Sequence, residues 1–205
     1  GGETKLLCLN PADGKATWTV TLGKEYKQGK NPDWWGARST PSSDGKLVLA
    51  LGDKGDLICV DAADGKEKWR KNLRSDFGGD TGNWQYAESP LIDGDQVALI
   101  CGGSKGAVVA LKKDTGATVW QCGDLKDKAE YTSLTPAELG GVRQYVAMTQ
   151  KSVAGVGAKD GKLLWKMERG GKVAVIPTPI IKGDVVFVAS GYGVGHNAYK
   201  ISAEG

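Results

Sequence analysis

An all-β fold built from repeated four-stranded units is predicted by three observations. Glycine accounts for 31 of the 205 residues, a share that is costly in helix interiors and useful in tight turns. No segment carries a helical hydrophobic period of useful length. An eleven-residue pattern ending in tryptophan recurs without gaps as Cys8–Trp18, Cys59–Trp69, Ala110–Trp120 and Gly155–Trp165, and a fifth copy runs from Tyr199 to Gly205. The tryptophans lie 51, 51 and 45 residues apart, a period suited to propeller blades and too long for most solenoids.

Each repeat resolves into strands separated by turn residues. Residues 1–22 supply only the two outer strands of a first unit, because Gly1-Gly2 aligns with Gly103-Ser104 in a turn between second and third strands. In the second unit (37–74), Arg38 to Ser42 reads as a short strand before Asp44-Gly45. Lys46 to Leu51 follows, then a turn at Asp53-Lys54-Gly55, then Leu57 to Asp61. Asp64-Gly65 is a hairpin signal leading into Lys66 to Leu73. The third unit (86–122) repeats this with Glu88 to Leu91, Gln96 to Cys101, Ala107 to Leu111 and Ala117 to Gln121. A fourth unit occupies 131–168, and a fifth (174–205) has three strands and stops at its hairpin glycine. Four short antiparallel strands per repeat describe the blade of a β-propeller.

The recurring tryptophan sits four residues beyond the hairpin glycine, on the outermost strand, where a large flat ring covers the seam between neighbouring sheets. The small residue opening each motif (Cys8, Cys59, Ala110 or Gly155) leaves room for a ring, and the Asp-Gly or Thr-Gly pair supplies the positive φ of the turn. Trp18, Trp69, Trp120 and Trp165 are therefore assigned to packing between blades.

Propellers close as rings of about 4 to 8 blades, so these residues form part of a ring. Three completions are open: further blades from the same polypeptide, a second copy of the chain, or union of the terminal strands into one blade that closes a four-bladed ring. Unpaired strand edges would otherwise be exposed.

Charge and composition exclude several classes. A net charge of +3 with lysines scattered among aspartates gives no support for nucleic-acid binding. The longest apolar runs, such as Leu47 to Leu51, have five residues, far short of a membrane span, and no leader pattern is visible at Gly1-Gly2-Glu3-Thr4. A single histidine, His196, argues against a His-rich metal site or a Ser-His-Asp triad within these residues. The cysteines at 8, 59, 101 and 122 include no CxxC and no adjacent pair. Cys8 and Cys59 fall on equivalent strands of adjacent blades, about 10 Å apart at sheet packing distance, and Cys101 and Cys122 on the second and fourth strands of one blade. Neither pair suits a disulfide.

The pattern small-x-(Asp)-x-x-(Thr/Asp)-Gly-Lys-x-x-Trp resembles the tryptophan-docking motif of the pyrroloquinoline-quinone (PQQ) repeat β-propellers, with Asp at its third position only in Asp61 and Ala117 in place of one lysine. The stretches Tyr86–Asp95, Gly140–Tyr145 and Ile176–Ile180 are similar to PQQ-like propeller proteins of bacterial envelopes. That superfamily includes quinoprotein dehydrogenases and the noncatalytic BamB-like lipoproteins of outer-membrane assembly. The resemblance implies an eight-bladed ring, of which this chain would be about half, and a periplasmic or envelope location.

Function in propellers concentrates on the face where connectors between blades and loops between second and third strands emerge. The connector Lys24–Ala37 carries Asp33, Trp34 and Trp35; Ser75–Ala87 carries Asp80, Asn83, Trp84 and Tyr86; Gly123–Tyr131 ends in Tyr131; Ser190–Asn197 carries Tyr192 and His196. These aromatics either grip a flat cofactor, a sugar or a partner peptide, or plug the central channel. Arg38, Glu88, Thr132 and Pro177 share an offset at the starts of innermost strands. Arg38 and Glu88 would pair along the channel, or serve as anion clamp and cation ligand.

Two functions follow. The leading one is a noncatalytic scaffold for protein or ligand binding in the envelope, with no catalytic residue, no metal and no cofactor. The alternative, implied by the resemblance, is a PQQ- and calcium-dependent quinoprotein alcohol dehydrogenase in which Arg38, Glu88, Trp84 and Asn83 hold the cofactor and Asp80 lies near calcium. Many such enzymes carry a disulfide between adjacent cysteines, which this sequence lacks.

Overall fold

The computed structural model describes residues 2–27 and 36–203. Hydrogen bonding between sequence neighbours builds five separate antiparallel meanders. The first contains β1 (Glu3–Leu9) and β2 (Ala16–Lys24). The second contains β3 (Ser42–Ser43), β4 (Leu47–Leu51), β5 (Asp56–Asp61) and β6 (Glu67–Asn72). The third contains β7 (Leu91–Asp93), β8 (Gln96–Ile100), β9 (Val108–Lys112) and β10 (Thr118–Gln121). The fourth contains β11 (Thr135–Leu139), β12 (Val142–Met148), β13 (Ser152–Gly157) and β14 (Leu163–Glu168). The fifth contains β15 (Ile180–Lys182), β16 (Val185–Ser190) and β17 (Gly195–Lys200). The protein is an all-β chain of propeller blades. The two-stranded and three-stranded sheets stay apart, so the terminal strands do not unite into one blade among the described residues.

Burial explains the strand sequences. Middle strands are covered on both faces by adjacent blades, so β8, β9 and β13 are almost wholly buried and read as apolar runs rather than alternating ones. Outer strands face solvent, and β14 alternates between half-buried and exposed positions. One apolar cluster runs from Leu49 to Ala158 through three blades, and smaller clusters join the first and last sheets to it.

Two local features depart from the sequence expectation. The strand expected over Lys66 to Leu73 ends at Asn72, and Leu73–Phe77 forms a short helix, α1. Asn72 caps it by accepting from the N–H groups of Arg74 (3.0 Å) and Ser75 (3.2 Å), and Gly78 closes it in the left-handed conformation. Leu73 and Phe77, four apart, bury on one face. The innermost strands also begin later than expected, at Ser42 and Leu91 rather than Arg38 and Glu88. Pro41 and Pro90 have no N–H for a sheet ladder, and the residues ahead of them bond to the next blade instead.

Those bonds form a ladder along the inner seam. The Thr40 N–H donates to Ser89 Oγ (3.1 Å), the Ser89 N–H to Ser133 Oγ (2.9 Å), and the Ser133 N–H to Thr178 Oγ1 (3.4 Å). Two residues further on, Ser42 Oγ donates to the Pro90 carbonyl (2.5 Å) and Thr135 Oγ1 to the Pro179 carbonyl (2.9 Å).

The outer seam is closed by tryptophan. The indole N–H of Trp18 donates to the Ala62 carbonyl (3.1 Å), that of Trp69 to Lys113 (2.9 Å) and that of Trp120 to Ala158 (3.1 Å), each in the following blade. Each ring lies over the following blade's turn glycine. A Cβ on Gly65, Gly116 or Gly161 would come within 2.7, 2.7 or 2.6 Å of the Trp18, Trp69 or Trp120 ring. The small motif-opening residue is the ring's cross-strand partner, as Cys59 is to Trp69 and Ala110 to Trp120. Trp69 and Trp120 are buried. Trp18 and Trp165 are half-buried, and the Trp165 indole donates to Gln144 Oε1 (2.6 Å) within its own blade. Between the same neighbours, Lys113 pairs with Asp44 (2.7 Å), and Asp93 accepts from both Arg143 (2.9 Å) and the Tyr145 hydroxyl (2.9 Å). The guanidinium beside Asp93 holds its carboxyl below the usual range.

Gly116 has two reasons to be glycine, a φ of +69° and the ring above it, whereas Gly94 has a φ of +60° and nothing within 4 Å. Alanine at Gly94 should cost only the backbone penalty, about 1–2 kcal/mol. Alanine at Gly116 should cost clearly more, because the Trp69 ring is displaced as well. Thermal unfolding of the two variants in the full-length protein checks this: equal losses would show that the ring contact does not constrain the turn.

Candidate functional site

The inner ladder fixes where side chains converge. Two residues before each ladder position lie Arg38, Ala87, Tyr131 and Ile176, one from each of four consecutive units, and all four line a single pocket of about 350 Å³. Trp84 and Ala174 from the connectors and Tyr192 from the β16–β17 loop complete it. Trp84 is held firmly: its N–H donates to the Tyr131 hydroxyl (3.1 Å), its carbonyl accepts from Arg38 Nη1 (3.1 Å), and its ring meets Tyr131 edge-on at 5.8 Å and 66°. Burial raises the Tyr131 hydroxyl above its ordinary pKa, so this group stays protonated. Ala174 is buried, while Ile176 and Tyr192 are each 58% exposed. The pocket is thus an aromatic and aliphatic hollow with one guanidinium at its side.

Backbone strain concentrates around the same hollow. Gln85, Val173 and Tyr192 have φ of 65°, 57° and 60°, the only non-glycine residues in the left-handed region among those described. Gln85 follows Trp84, Val173 precedes Ala174, and Tyr192 lines the pocket itself. A β-branched residue in that region is a true outlier, and such residues persist where surrounding structure over-determines them, often at functional sites.

Other expected site residues lie elsewhere. Tyr86 is fully buried between blades, its hydroxyl donating to the Cys101 carbonyl (2.7 Å) and its ring under Arg74 (5.4 Å), so it does not belong to the exposed face. Asn83 is exposed and outside the pocket lining. His196 lies in β17, exposed, against Phe187 (5.6 Å) rather than beside Tyr192 in the loop. Trp34 and Trp35, with Asp33, lie outside the described residues.

Arg38 and Glu88 do not share an offset. The residue equivalent to Glu88 is Ser39, immediately before the ladder threonine, and the series runs Ser39, Glu88, Thr132, Pro177. Glu88 points into its own blade, where Oε2 accepts from the Ile100 N–H (2.8 Å) and Oε1 has no hydrogen-bond partner. Thr132 does the corresponding job, donating to the Met148 carbonyl (2.7 Å). Glu88 and Thr132 thus staple the starts of their innermost strands to the second strand, whereas Ser39 Oγ has no hydrogen-bond partner among the described residues and Pro177 has no polar side-chain group. No channel ion pair between Arg38 and Glu88 forms.

The oxygen set considered for calcium does not fit a cation. Glu88 is spent inside its blade, Asp80 pairs with Lys128 (3.0 Å), and Asn83 faces solvent. No group of three or more His, Cys, Asp or Glu side chains gathers as a metal set among the described residues. The residues assigned to PQQ are also divided, with Arg38 and Trp84 at the pocket and Glu88 and Asn83 away from it. All four cysteines are free thiols, and burial pushes those of Cys59 and Cys101 up, to about 11 and about 12.

A family model described as outer membrane protein assembly factor BamB matches residues 2–203. The chain belongs to the BamB family of PQQ-type propellers. A BamB from Bordetella pertussis is 28% identical over 191 residues, covering 92% of this chain and 45% of the relative. The solved structure of BamB from Moraxella catarrhalis superposes with a TM-score of 0.62 at 17% identity, over 91% of this chain and 53% of that one. A quinohemoprotein alcohol dehydrogenase from Comamonas testosteroni gives 0.56 at 16% identity, over 87% and 35%, which shows a shared fold. The chain spans about half the length of the curated BamB relatives it matches. No helix among the described residues is long and apolar enough to cross a membrane.

The missed lining residues, Ala87, Ala174 and Ile176, carry little signal as residue types. A Ser/Thr before Pro, recurring as Thr40-Pro41, Ser89-Pro90 and Thr178-Pro179, marks three of the four positions from which they could be counted.

Glu88 gives a pH prediction. Burial raises its carboxyl to about 8 from the usual 4.5. Stability present below pH 4.5 is therefore lost as pH rises towards 8, because the unfolded chain ionises first. Glu88→Gln should remove a slope of up to about 1.4 kcal/mol per pH unit across that window and be the more stable form at pH 8. Denaturant unfolding of both proteins from pH 4 to 9 tests it, and parallel profiles would refute it.

Proposed function

We propose that this chain contributes blades to a noncatalytic propeller scaffold of the bacterial cell envelope, acting in outer-membrane protein assembly and binding its partner through the aromatic hollow. Further blades of the same protein complete the ring beside the two partial sheets. One observation carries the reading. Among the described residues, equivalent positions of four consecutive units converge on one pocket whose surface is aromatic and aliphatic with one guanidinium, the composition of a contact surface. Family membership and the curated BamB relatives support the setting, as does the lack of fit between the carboxylates here and a calcium-bound quinone.

A photoreactive residue at position 192 of the full-length protein, expressed in its own envelope, should cross-link an outer-membrane assembly component. The same residue at Leu164, exposed on outer strand β14, should not. In parallel, purified protein with PQQ and calcium should show no dye-linked alcohol oxidation. Turnover that Arg38→Gln abolishes would overturn the scaffold reading in favour of a quinoprotein.

A further inference from the structure

Resting on that scaffold reading, we infer that Arg169 is the positioning residue that presents Tyr192 at the rim of the hollow. Tyr192 lies in the β16–β17 loop with a φ of 60°, a conformation costly for any residue but glycine. The loop itself supplies little to offset that cost. Gly191, Gly193 and Gly195 have nothing within 4 Å of where a Cβ would sit, and Tyr192 is exposed. The loop's internal backbone bond runs from the Val194 N–H to the Gly191 carbonyl (3.2 Å).

Arg169 grips both stems of this loop from the preceding blade. It follows directly on β14, is buried, and is anchored by its own N–H on the Lys151 carbonyl (2.8 Å). On one side of the loop, Nη1 donates to Ser190 Oγ (2.8 Å). On the other, Nη2 donates to the Gly195 carbonyl (3.0 Å) and Nε to Asn197 Oδ1 (3.0 Å). A guanidinium holds its donors in a fixed planar fork, whereas an ammonium is a single compact point.

Blade packing does not require a cation at this place. Arg169 stands four residues beyond its motif tryptophan, where the other units carry Leu22, Leu73 and Asp124. Leu22 and Leu73 are buried. Leu22 lies against the next blade's loop between second and third strands, where a Cβ on Gly52 would come within 3.4 Å of it. Leucine therefore fills the seam at the corresponding position. The Arg169 side-chain bonds all go to neutral groups, so the desolvation of its charge is offset by no ion pair among them. A guanidinium thus stands where an apolar residue would pack, and what it adds is the hold on the Tyr192 loop.

Two measurements on the full-length protein test the inference: hydrogen exchange, and cross-linking in the envelope from photoreactive residues at positions 192 and 176. Arg169→Leu copies the first unit's seam filler, keeping the blades packed while releasing the loop. In this variant the Val194 amide should exchange at least about tenfold faster, the effect of losing one charge-assisted hydrogen bond. Cross-linking from position 192 should fall severalfold. Cross-linking from position 176, on a different connector of the same pocket, should hold, as should exchange in the buried strand β13. Arg169→Lys should resemble Arg169→Leu. Unchanged Val194 exchange in Arg169→Leu, undiminished cross-linking from position 192, equal loss at positions 192 and 176, or full restoration by lysine overturns the inference. If neither position of the unsubstituted protein cross-links while Arg169→Leu still releases Val194, the scaffold reading falls and Arg169 stands as the residue that presents Tyr192.

Discussion

A tryptophan ring lying over the next blade's turn glycine holds neighbouring sheets at one spacing, and the rest of the architecture depends on it. The contact has several requirements at once: a carbonyl for the indole N–H, a turn residue with no Cβ, and a small cross-strand partner that leaves the ring room. Trp69 satisfies all of them, with Lys113, Gly116 and Cys59. A desolvated indole lacking that carbonyl would carry an unpaired donor in an apolar seam. Geometry and burial are thus inseparable here, and this is why so short a motif can specify how one whole sheet meets another.

The inner end of each blade solves the opposite problem. Near the axis the sheets crowd together, and prolines at the strand starts withhold backbone donors from the sheet. Serine and threonine hydroxyls then take the neighbouring blade's N–H groups directly. By tying the strand starts together, this ladder brings Arg38, Ala87, Tyr131 and Ile176 to one pocket. The hollow is a by-product of inner-seam bonding, lined by whichever residues occupy that offset, so the same backbone can present different surfaces in different propellers.

Much of the fold was legible because the outer seam writes itself into a contiguous motif. Trp18, Trp69, Trp120 and Trp165 mark the outer strands, and the glycine turns mark their hairpins. The inner seam was less legible because its signal is a single hydroxyl residue before proline, diluted where Leu134 replaces the proline. The Arg38–Glu88 pairing failed for that reason: counted from the ladder, Arg38 stands with Ala87, and Ser39 stands with Glu88. Tyr86 misled in another way. A tyrosine in a polar connector reads as exposed, but Gly55 and Gly79 leave space for it to fill the interior, where a Cβ on Gly55 would come within 2.9 Å of its ring. Trp84 and Tyr192 were legible as aromatics in loops, whereas Ala87 and Ala174 have no chemistry to announce them.

Every N–H rung of the serine–threonine ladder points the same way, from the N–H of one unit to the hydroxyl of the next in sequence, and the indole bonds of Trp18, Trp69 and Trp120 share that direction. The seams are therefore polar, head-to-tail couplings in which each unit offers one kind of edge forward and a complementary kind backward. Couplings of this type are indifferent to which unit comes first, so whole repeats can be duplicated, deleted or circularly rearranged by recombination without inventing a new joint. Only the curvature needed for closure then limits how many units a descendant carries. Gene duplication acting on one such unit would be enough to generate the variety of ring sizes that this architecture displays.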